Sequence, residues 1–382
     1  MFEETVAFIR ETFDEPEEFI PLHEPSFGGN EEAYVVDTVR STFVSSVGAY
    51  VDRFELELAR FTGGGYAVAT ASGTSALHVA LVLAGADRDT EVLTQALTFV
   101  ATGNAIRYAG AVPVFLDVDR ESMGLCPEAL AGFLEKETDR DAEGHCINRG
   151  SGRRIVACVP MHTFGFPARI EAIARLCREH GIVLVEDAAE SIGSLVGKTH
   201  TGCFGRLGVF SFNGNKTITA GGGGAIVPAD EELARRAKPL TTTAKKPHAW
   251  RYYHDALGYN YRMPNLNAAL VCAQLEQLPA ILKKKRQLAK QYNEFFDAQG
   301  VQYPGERAGT TANYWLNTVM LKDRAERDGF LEFSNARKVM TRPVWEPLNT
   351  LPVFDKCQTD RLEITQYLAD RLVNLPSSVP RT

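Results

Sequence analysis

Between residues 65 and 187 short apolar runs alternate with helical patterns, and this alternation limits the fold more than any other feature. "GYAVAT" (65–70) reads as a strand and "GTSALHVALVLAG" (73–85) as the helix that follows it. "EVLTQ" (91–95), "VPVFLDV" (112–118), "RIVACVP" (154–160) and "IVLVED" (182–187) read as further strands. Between them, "VATGNAIRYAG" (100–110) and "ARIEAIARLCREHG" (168–181) read as helices. The second places Ile170, Ile173, Ala174 and Cys177 on one face and ends at Gly181. Strands that are apolar throughout are buried on both faces. The pattern therefore predicts an α/β fold, a mostly parallel sheet flanked by helices.

The pattern changes after residue 264. Residues 265–300 form one long helical stretch, with Pro279 as a candidate break. A strand-like "YWLNTVMLK" (314–322) and a Pro-rich "RPVWEPLNTLPVF" (342–354) follow. Two domains are expected: residues 1–264, an N-terminal segment with the large domain, and residues 265–382, a smaller α+β domain. The polar "RDAEGHCINRGSGRR" (140–154) reads as a loop or insertion.

Composition narrows the partners. A net charge of −7, with no long run of either sign, argues against nucleic acid and anionic membranes. The seven cysteines include no C-x-x-C pair, which suits a reducing compartment. The first residues lack the basic and apolar regions of a signal peptide, and no apolar run reaches membrane-spanning length. A cytoplasmic protein is expected. The eight histidines form no metal-binding spacing, so no metal site is expected.

Three stretches carry chemistry. In "ATASGTSALHVAL" (69–81) a strand ends, small residues turn and a helix begins near Thr74. Helix N–H groups with the hydroxyls of Ser72, Thr74 and Ser75 make a phosphate cradle, although an ordinary N-cap uses the same residue types. In "VEDAAES" (185–191), Asp187 ends a buried strand, at the sheet edge where ligands bind. It is either the next helix cap or the partner of a protonated ring nitrogen. In "FSFNGNKTITAGGGG" (210–224), Lys216 emerges from a strand end before four glycines. A lysine in an apolar site, or beside other cations, becomes a Schiff-base nucleophile; a solvated lysine next to a flexible hairpin is the plain alternative. Together, in this order, the three elements are what pyridoxal phosphate requires.

The chain resembles the DegT-type nucleotide-sugar aminotransferases, which are fold type I pyridoxal-phosphate enzymes. "SGTSALHVAL", "TFVATGNAI", "VPVFLDVD", "MHTFGFPA", "VEDAAES", "FSFNGNK", "GGGGAIV" and "GYNYRMPNLNAAL" carry the resemblance. It implies Lys216 as the Schiff-base lysine and Asp187 as the pyridinium partner. It implies a phosphate held by Gly73, Thr74, Ser75 and Ser211, and Phe99 stacked on the ring. Glu190 stands where the family often has a glutamine that contacts the phenolic oxygen. The stretch 258–263 is similar to one that reaches across a dimer, which would bring Asn260, with Arg262 nearby, to the neighbour's cofactor in a homodimer with shared sites. "FIPLHEP", "STFVSSVG" and "NYWLN" look most like enzymes of bacillosamine and legionaminic-acid precursor synthesis. That likeness implies L-glutamate as amino donor and C4 of a UDP-linked 2-acetamido-4-keto-6-deoxy sugar as acceptor. His162 is a further candidate to approach the cofactor or substrate, and Lys245 with Lys246 a candidate diphosphate site. The rival readings are a sugar dehydratase or a non-catalytic regulator on the same fold, and a nucleotide-binding oxidoreductase. An intact lysine, aspartate and cradle, and the absence of a dinucleotide fingerprint, argue against them.

Overall fold

The expected alternation builds one large mixed sheet. The computed structural model describes residues 1–380. Its strands are β1 (Val68–Thr70), β2 (Thr90–Gln95), β3 (Val112–Leu116), β4 (Thr138–Arg140), β5 (Cys146–Asn148), β6 (Arg154–Val159), β7 (Val183–Asp187), β8 (Leu195–Val196), β9 (Thr199–His200), β10 (Leu207–Ser211), β11 (Gly224–Pro228), β12 (Thr310–Thr311), β13 (Asn317–Met320), β14 (Arg342–Pro343) and β15 (Leu372–Leu375). Its helices are α1 (Phe2–Thr12), α2 (Glu31–Ser41), α3 (Ala49–Thr62), α4 (Gly73–Leu83), α5 (Val100–Tyr108), α6 (Pro127–Glu137), α7 (Ile170–His180), α8 (Glu231–Thr241), α9 (Asn265–Ala298), α10 (Arg324–Ala336) and α11 (Glu363–Ala369).

The main path of the sheet is β1-β11-β10-β7-β6-β2-β3. Neighbours from β10 to β3 run parallel, whereas β11 is antiparallel to both β1 and β10. Side chains alternate between two cores. Val92, Val156, Val185 and Val209 face α4 and α5, with Leu77 and Ile106. Leu93, Cys158 and Leu184 face α6 and α7, with Leu130 and Ile173. Gly181 caps α7 with φ +66°, where a Cβ would be strained.

Two expectations fail locally. Residues 140–154 are not a plain loop. β4 and β5 form a hairpin, and Ile147 pairs with Arg154 of β6. Asp141 organises the turn, its Oδ1 accepting from His145 N at 2.7 Å and its Oδ2 meeting His145 Nδ1 at 2.9 Å. Pro279 does not break α9, which runs unbroken for 34 residues. The proline is exposed, and the helix is buried on both sides of it.

A second sheet, β13-β15-β14, is antiparallel. Val319, Val373 and Leu375 share a core with Val6 and Ile9 of α1, Phe330 of α10, and Leu288, Tyr292 and Phe296 of α9. The first half of α9 instead packs Ala268, Val271 and Cys272 against Phe54 and Phe212 beside the large sheet. Among the described residues, no helix is long and apolar enough to cross a membrane.

Candidate active site

The C-terminal ends of the parallel strands open onto a cavity of ≈ 660 Å³ whose far wall is the small sheet. Loops after β1, β2, β7 and β10 all enter it, as expected of an α/β sheet edge. The cavity lining includes Gly73, Thr74, Phe99, Asp187, Glu190, Ser211 and Lys216, which the sequence had singled out from separate stretches.

Helix α4 begins at this edge. Ser72 is its N-cap, and its Oγ accepts from Ser75 N at 3.1 Å. Ser72 N donates in return to Ser75 Oγ at 3.0 Å, which closes a capping box. The N–H groups of Gly73 and Thr74 lie in the first turn, have no acceptor within the helix, and mark its positive end. Ser75 differs from expectation. Its N–H and hydroxyl are both engaged with Ser72, and it stands outside the cavity lining. Its contacts hold the turn in which Gly73 and Thr74 lie. Two glycines permit the close packing. A Cβ on Gly73 would lie 2.8 Å from Ser211 Cβ, and one on Gly224 would lie 2.4 Å from the Ser72 carbonyl carbon.

Asp187 is 3% exposed at the end of β7. Its Oδ2 accepts from Thr102 Oγ1 at 2.8 Å and its Oδ1 from Ala189 N at 3.2 Å. No cation among the described residues forms an ion pair with it. Burial pushes its pKa up, against those hydrogen bonds and the charge of Lys216. A buried carboxylate with donors but no cation leaves a place for a protonated ring nitrogen.

Lys216 Nζ lies 3.2 Å from Glu190 Oε1 and 3.9 Å from the centre of the Trp315 ring. Glu190 Oε2 accepts from Phe164 N at 2.9 Å. Burial pushes the Glu190 carboxyl up to about 7, and the attraction of Lys216 only partly opposes it. Phe99 is the N-terminal flanking residue of α5, 46% exposed, with Trp345 at 6.2 Å between ring centres.

Other candidates lie elsewhere. Asn260 is exposed, bridges Thr242 and does not line this cavity. Arg262, Lys245 and Lys246 line a second cavity of ≈ 790 Å³ beside α8, and Lys246 pairs with Asp255 at 2.8 Å. His162 is fully buried and structural. Its Nδ1 accepts from Ala168 N at 3.1 Å, and its Nε2 donates to Glu186 at 3.1 Å. Asp141, Glu143 and His145 cluster at the β4–β5 turn, a grouping that the metal-binding spacings did not include.

Three cavity neighbours were not foreseen. Thr102 lies three residues beyond Phe99, so helical spacing could have placed it near the cavity. Trp315 falls inside the strand-like "YWLNTVMLK", whose pattern gives no sign that its ring meets Lys216. Lys285 is hidden in "KKKR". Lys283 and Lys284 are exposed, but Lys285 lies on the stripe Ile281, Leu282, Leu288, Tyr292 and is fully buried. Its Nζ donates to His23 Nε2 at 3.0 Å, Trp315 O at 3.2 Å and Ser377 O at 2.6 Å. Burial lowers its pKa to about 7.

The donor set thus fits a phosphorylated, protonated aromatic aldehyde: N–H groups for a phosphate, Asp187 for a ring nitrogen and Lys216 for a carbonyl carbon. Comparisons with known proteins agree. The profile of the DegT/DnrJ/EryC1/StrS aminotransferase family matches residues 25–381. GDP-perosamine synthase of Vibrio cholerae is 36% identical over 364 residues, 94% of each chain. The putative pyridoxal phosphate-dependent aminotransferase EpsN of Bacillus subtilis is 35% identical, over 94% of this chain and 90% of that one. The aminotransferase TlmJ of Streptoalloteichus hindustanus superposes with a TM-score of 0.85 at 28% identity, over 94% of this chain and 93% of that one. This chain belongs to the DegT/DnrJ/EryC1/StrS family and is a pyridoxal-phosphate-dependent sugar aminotransferase of fold type I.

Proposed function

We propose that the enzyme moves an amino group from L-glutamate to C4 of a nucleotide-diphosphate-linked 4-keto-6-deoxy sugar. The observation that carries this reading is the convergence of Lys216, Asp187 and the α4 N-terminus on one cavity. Bound pyridoxal phosphate supplies an electrophilic carbon and an electron-accepting ring. Asp187 keeps the ring nitrogen protonated, and the N–H groups of Gly73 and Thr74, with Ser211, hold the phosphate. Phe99 flanks the ring. Lys216 would hold the cofactor's carbonyl carbon through its Nζ, and the same Nζ, once free, would serve as base and then acid beside the reacting carbon. The Trp315 face and Glu190 would steady Nζ once it has taken up a proton and become an ammonium. With a pKa near neutrality, Glu190 either donates a proton toward the phenolic oxygen or, ionised, pairs with Lys216.

The Vibrio cholerae relative favours a GDP-linked acceptor. The subgroup motifs favour a UDP-linked 2-acetamido sugar instead. The smallest active unit in this reading is a homodimer in which Asn260 and Arg262 reach the neighbour's phosphate.

Purified protein with pyridoxal phosphate should show a visible absorption band that L-glutamate bleaches. GDP-, UDP- and dTDP-linked 4-keto sugars, with and without the acetamido group, should then be compared in restoring it. A protein with no band refutes the reading, and restoration by one nucleotide class fixes the acceptor.

A further inference from the structure

Glu190 and Lys216 come from separate loops of the large sheet, one after β7 and one after β10, and a single turn between β12 and β13 grips both. That turn is residues 313–315. Asn313 is fully buried. Its Nδ2 donates to Glu190 O at 2.8 Å and to Ile192 O at 2.9 Å, and its N donates to Ser194 Oγ at 3.0 Å. Trp315 holds the other loop. Its Nε1 donates at 2.7 Å to the carbonyl of Asn215, the residue just before Lys216. This bond sets the Trp315 ring against the lysine, with Nζ 3.9 Å from the ring centre.

The turn is fastened along its whole length. Asn313 Oδ1 accepts from Trp315 N at 2.8 Å, and Lys285 Nζ, from α9, donates to Trp315 O at 3.2 Å. Between them Tyr314 has φ +51°, a conformation that bulky residues rarely adopt. Backbone strain of this kind persists only where the surroundings hold it, and it clusters at working sites. The lysine has need of such a support. Its amine sits at the end of four flexible carbons, so it is placed only by what surrounds it. Glu190 Oε1, at 3.2 Å, bounds it from one loop, and the Trp315 ring bounds it from the turn.

We infer that Asn313 and Trp315 are positioning residues for Lys216. By gripping both loops, the turn fixes their separation, and with it the place of Nζ against Glu190 and against the reacting carbon. The inference rests on the proposed role of Lys216 above and deepens it. Displacing a reacting group by about 1 Å can cost roughly a hundredfold in rate, so a turn that sets this distance has leverage on the proton step. A turn that served only to hold the fold together would change stability and leave the proton step alone.

The test uses Trp315→Leu, Trp315→Phe and Asn313→Ala, with thermal melts to establish that each folds. In the apoprotein, amide hydrogen exchange should quicken at residues 213–217 in both Trp315 variants, and at residues 188–194 in Asn313→Ala. In the cofactor-loaded enzyme, stopped-flow bleaching of the absorption band by L-glutamate is compared with bleaching by L-glutamate deuterated at its α-carbon. Trp315→Leu should slow bleaching roughly ten- to a hundredfold, with little change in the glutamate concentration that gives half the maximal rate. Its deuterium effect should be at least as large as that of wild type, because the slowed step is the transfer of that proton to Nζ. Trp315→Phe keeps a ring face and loses the bond to Asn215, and should fall between wild type and Trp315→Leu. Asn313→Ala is the variant most exposed to misfolding, and the Trp315 pair carries the test without it. A folded Trp315→Leu that bleaches at the wild-type rate overturns the inference. So does a slowing in which the deuterium effect disappears, which gives Trp315 to donor binding. A wild-type band that glutamate leaves intact fails the donor reading instead; the apoprotein then decides the turn, and unchanged exchange at residues 213–217 overturns it.

Discussion

Glu186 and Asp187 are adjacent acids on β7, both buried, and they are treated in opposite ways. Glu186 accepts from the backbone N–H groups of Gly202 at 2.8 Å, Phe204 at 2.6 Å and Gly205 at 2.7 Å, and from His162. It is saturated, and it pins the 202–205 loop to the strand. Asp187, on the other face, has a hydroxyl, one N–H group and an open cavity. A saturated buried acid holds a fold together; a buried acid left short of donors is held for a ligand. Strand alternation alone puts the two a residue apart.

The comparison can be broken or sharpened from either face. The largest effect belongs to the cavity side. In the proposed mechanism Lys216→Ala removes anchor and proton carrier together, and turnover should fall by roughly 10⁴-fold or more, with an unchanged melting temperature. Steady-state assay beside a thermal melt checks both halves. Asp187→Asn should cost roughly 10²–10³-fold in turnover while the apoprotein becomes no less stable, since the substitution removes a buried charge. An apoprotein that unfolds as Asp187→Asn would place Asp187 with the structural acids.

On the other face the signs reverse. Glu186→Ala strands three backbone donors and His162, and should lower stability by about 3–5 kcal/mol, read by urea unfolding. A variant as stable as wild type breaks the contrast.

The smallest effect concerns Glu190, which lies between the two cases. Its folded pKa of about 7 is above the ordinary 4.5, so the folded state holds this proton more tightly than the unfolded chain. Its contribution is full below about pH 4.5 and is lost as pH rises through 7. Glu190→Gln should therefore gain little at pH 4.5 and stabilise the apoprotein by at most about 3 kcal/mol at pH 8. Melting curves across that range check it, and a pH-independent difference would assign the effect to packing.

What the sequence made legible follows the same division. The positions of Lys216, Asp187 and the α4 cap at one sheet edge were readable because each follows a strand end and is flanked by small residues, and composition marks such local turns. The sheet was readable because its strands are apolar on both faces. Ser75 was legible only as a small polar residue at a helix start, because a capping serine and a ligand-binding serine look alike; its partnership with Ser72 appears only in the structure. Lys285, His23 and Trp315 meet through contacts between residues 262 and 30 positions apart, which no local pattern encodes. The β4–β5 hairpin was hidden by its polar turn.

Helix α9 has a consequence for how this chain can change over generations. It passes from the core beside Phe212 to the core beside Val373, and carries Lys285 between them. One residue inserted between Pro279 and Lys285 would rotate everything beyond it by about 100° and advance it by about 1.5 Å. Lys285 would then turn away from His23, Trp315 and Ser377, and Leu288 and Tyr292 would leave their core. Length variation is thus barred from α9, whereas the β4–β5 turn, which touches neither core, can lengthen or shorten freely. Lineages descending from this sequence should record their insertions and deletions at that turn and keep the residue count of α9 fixed.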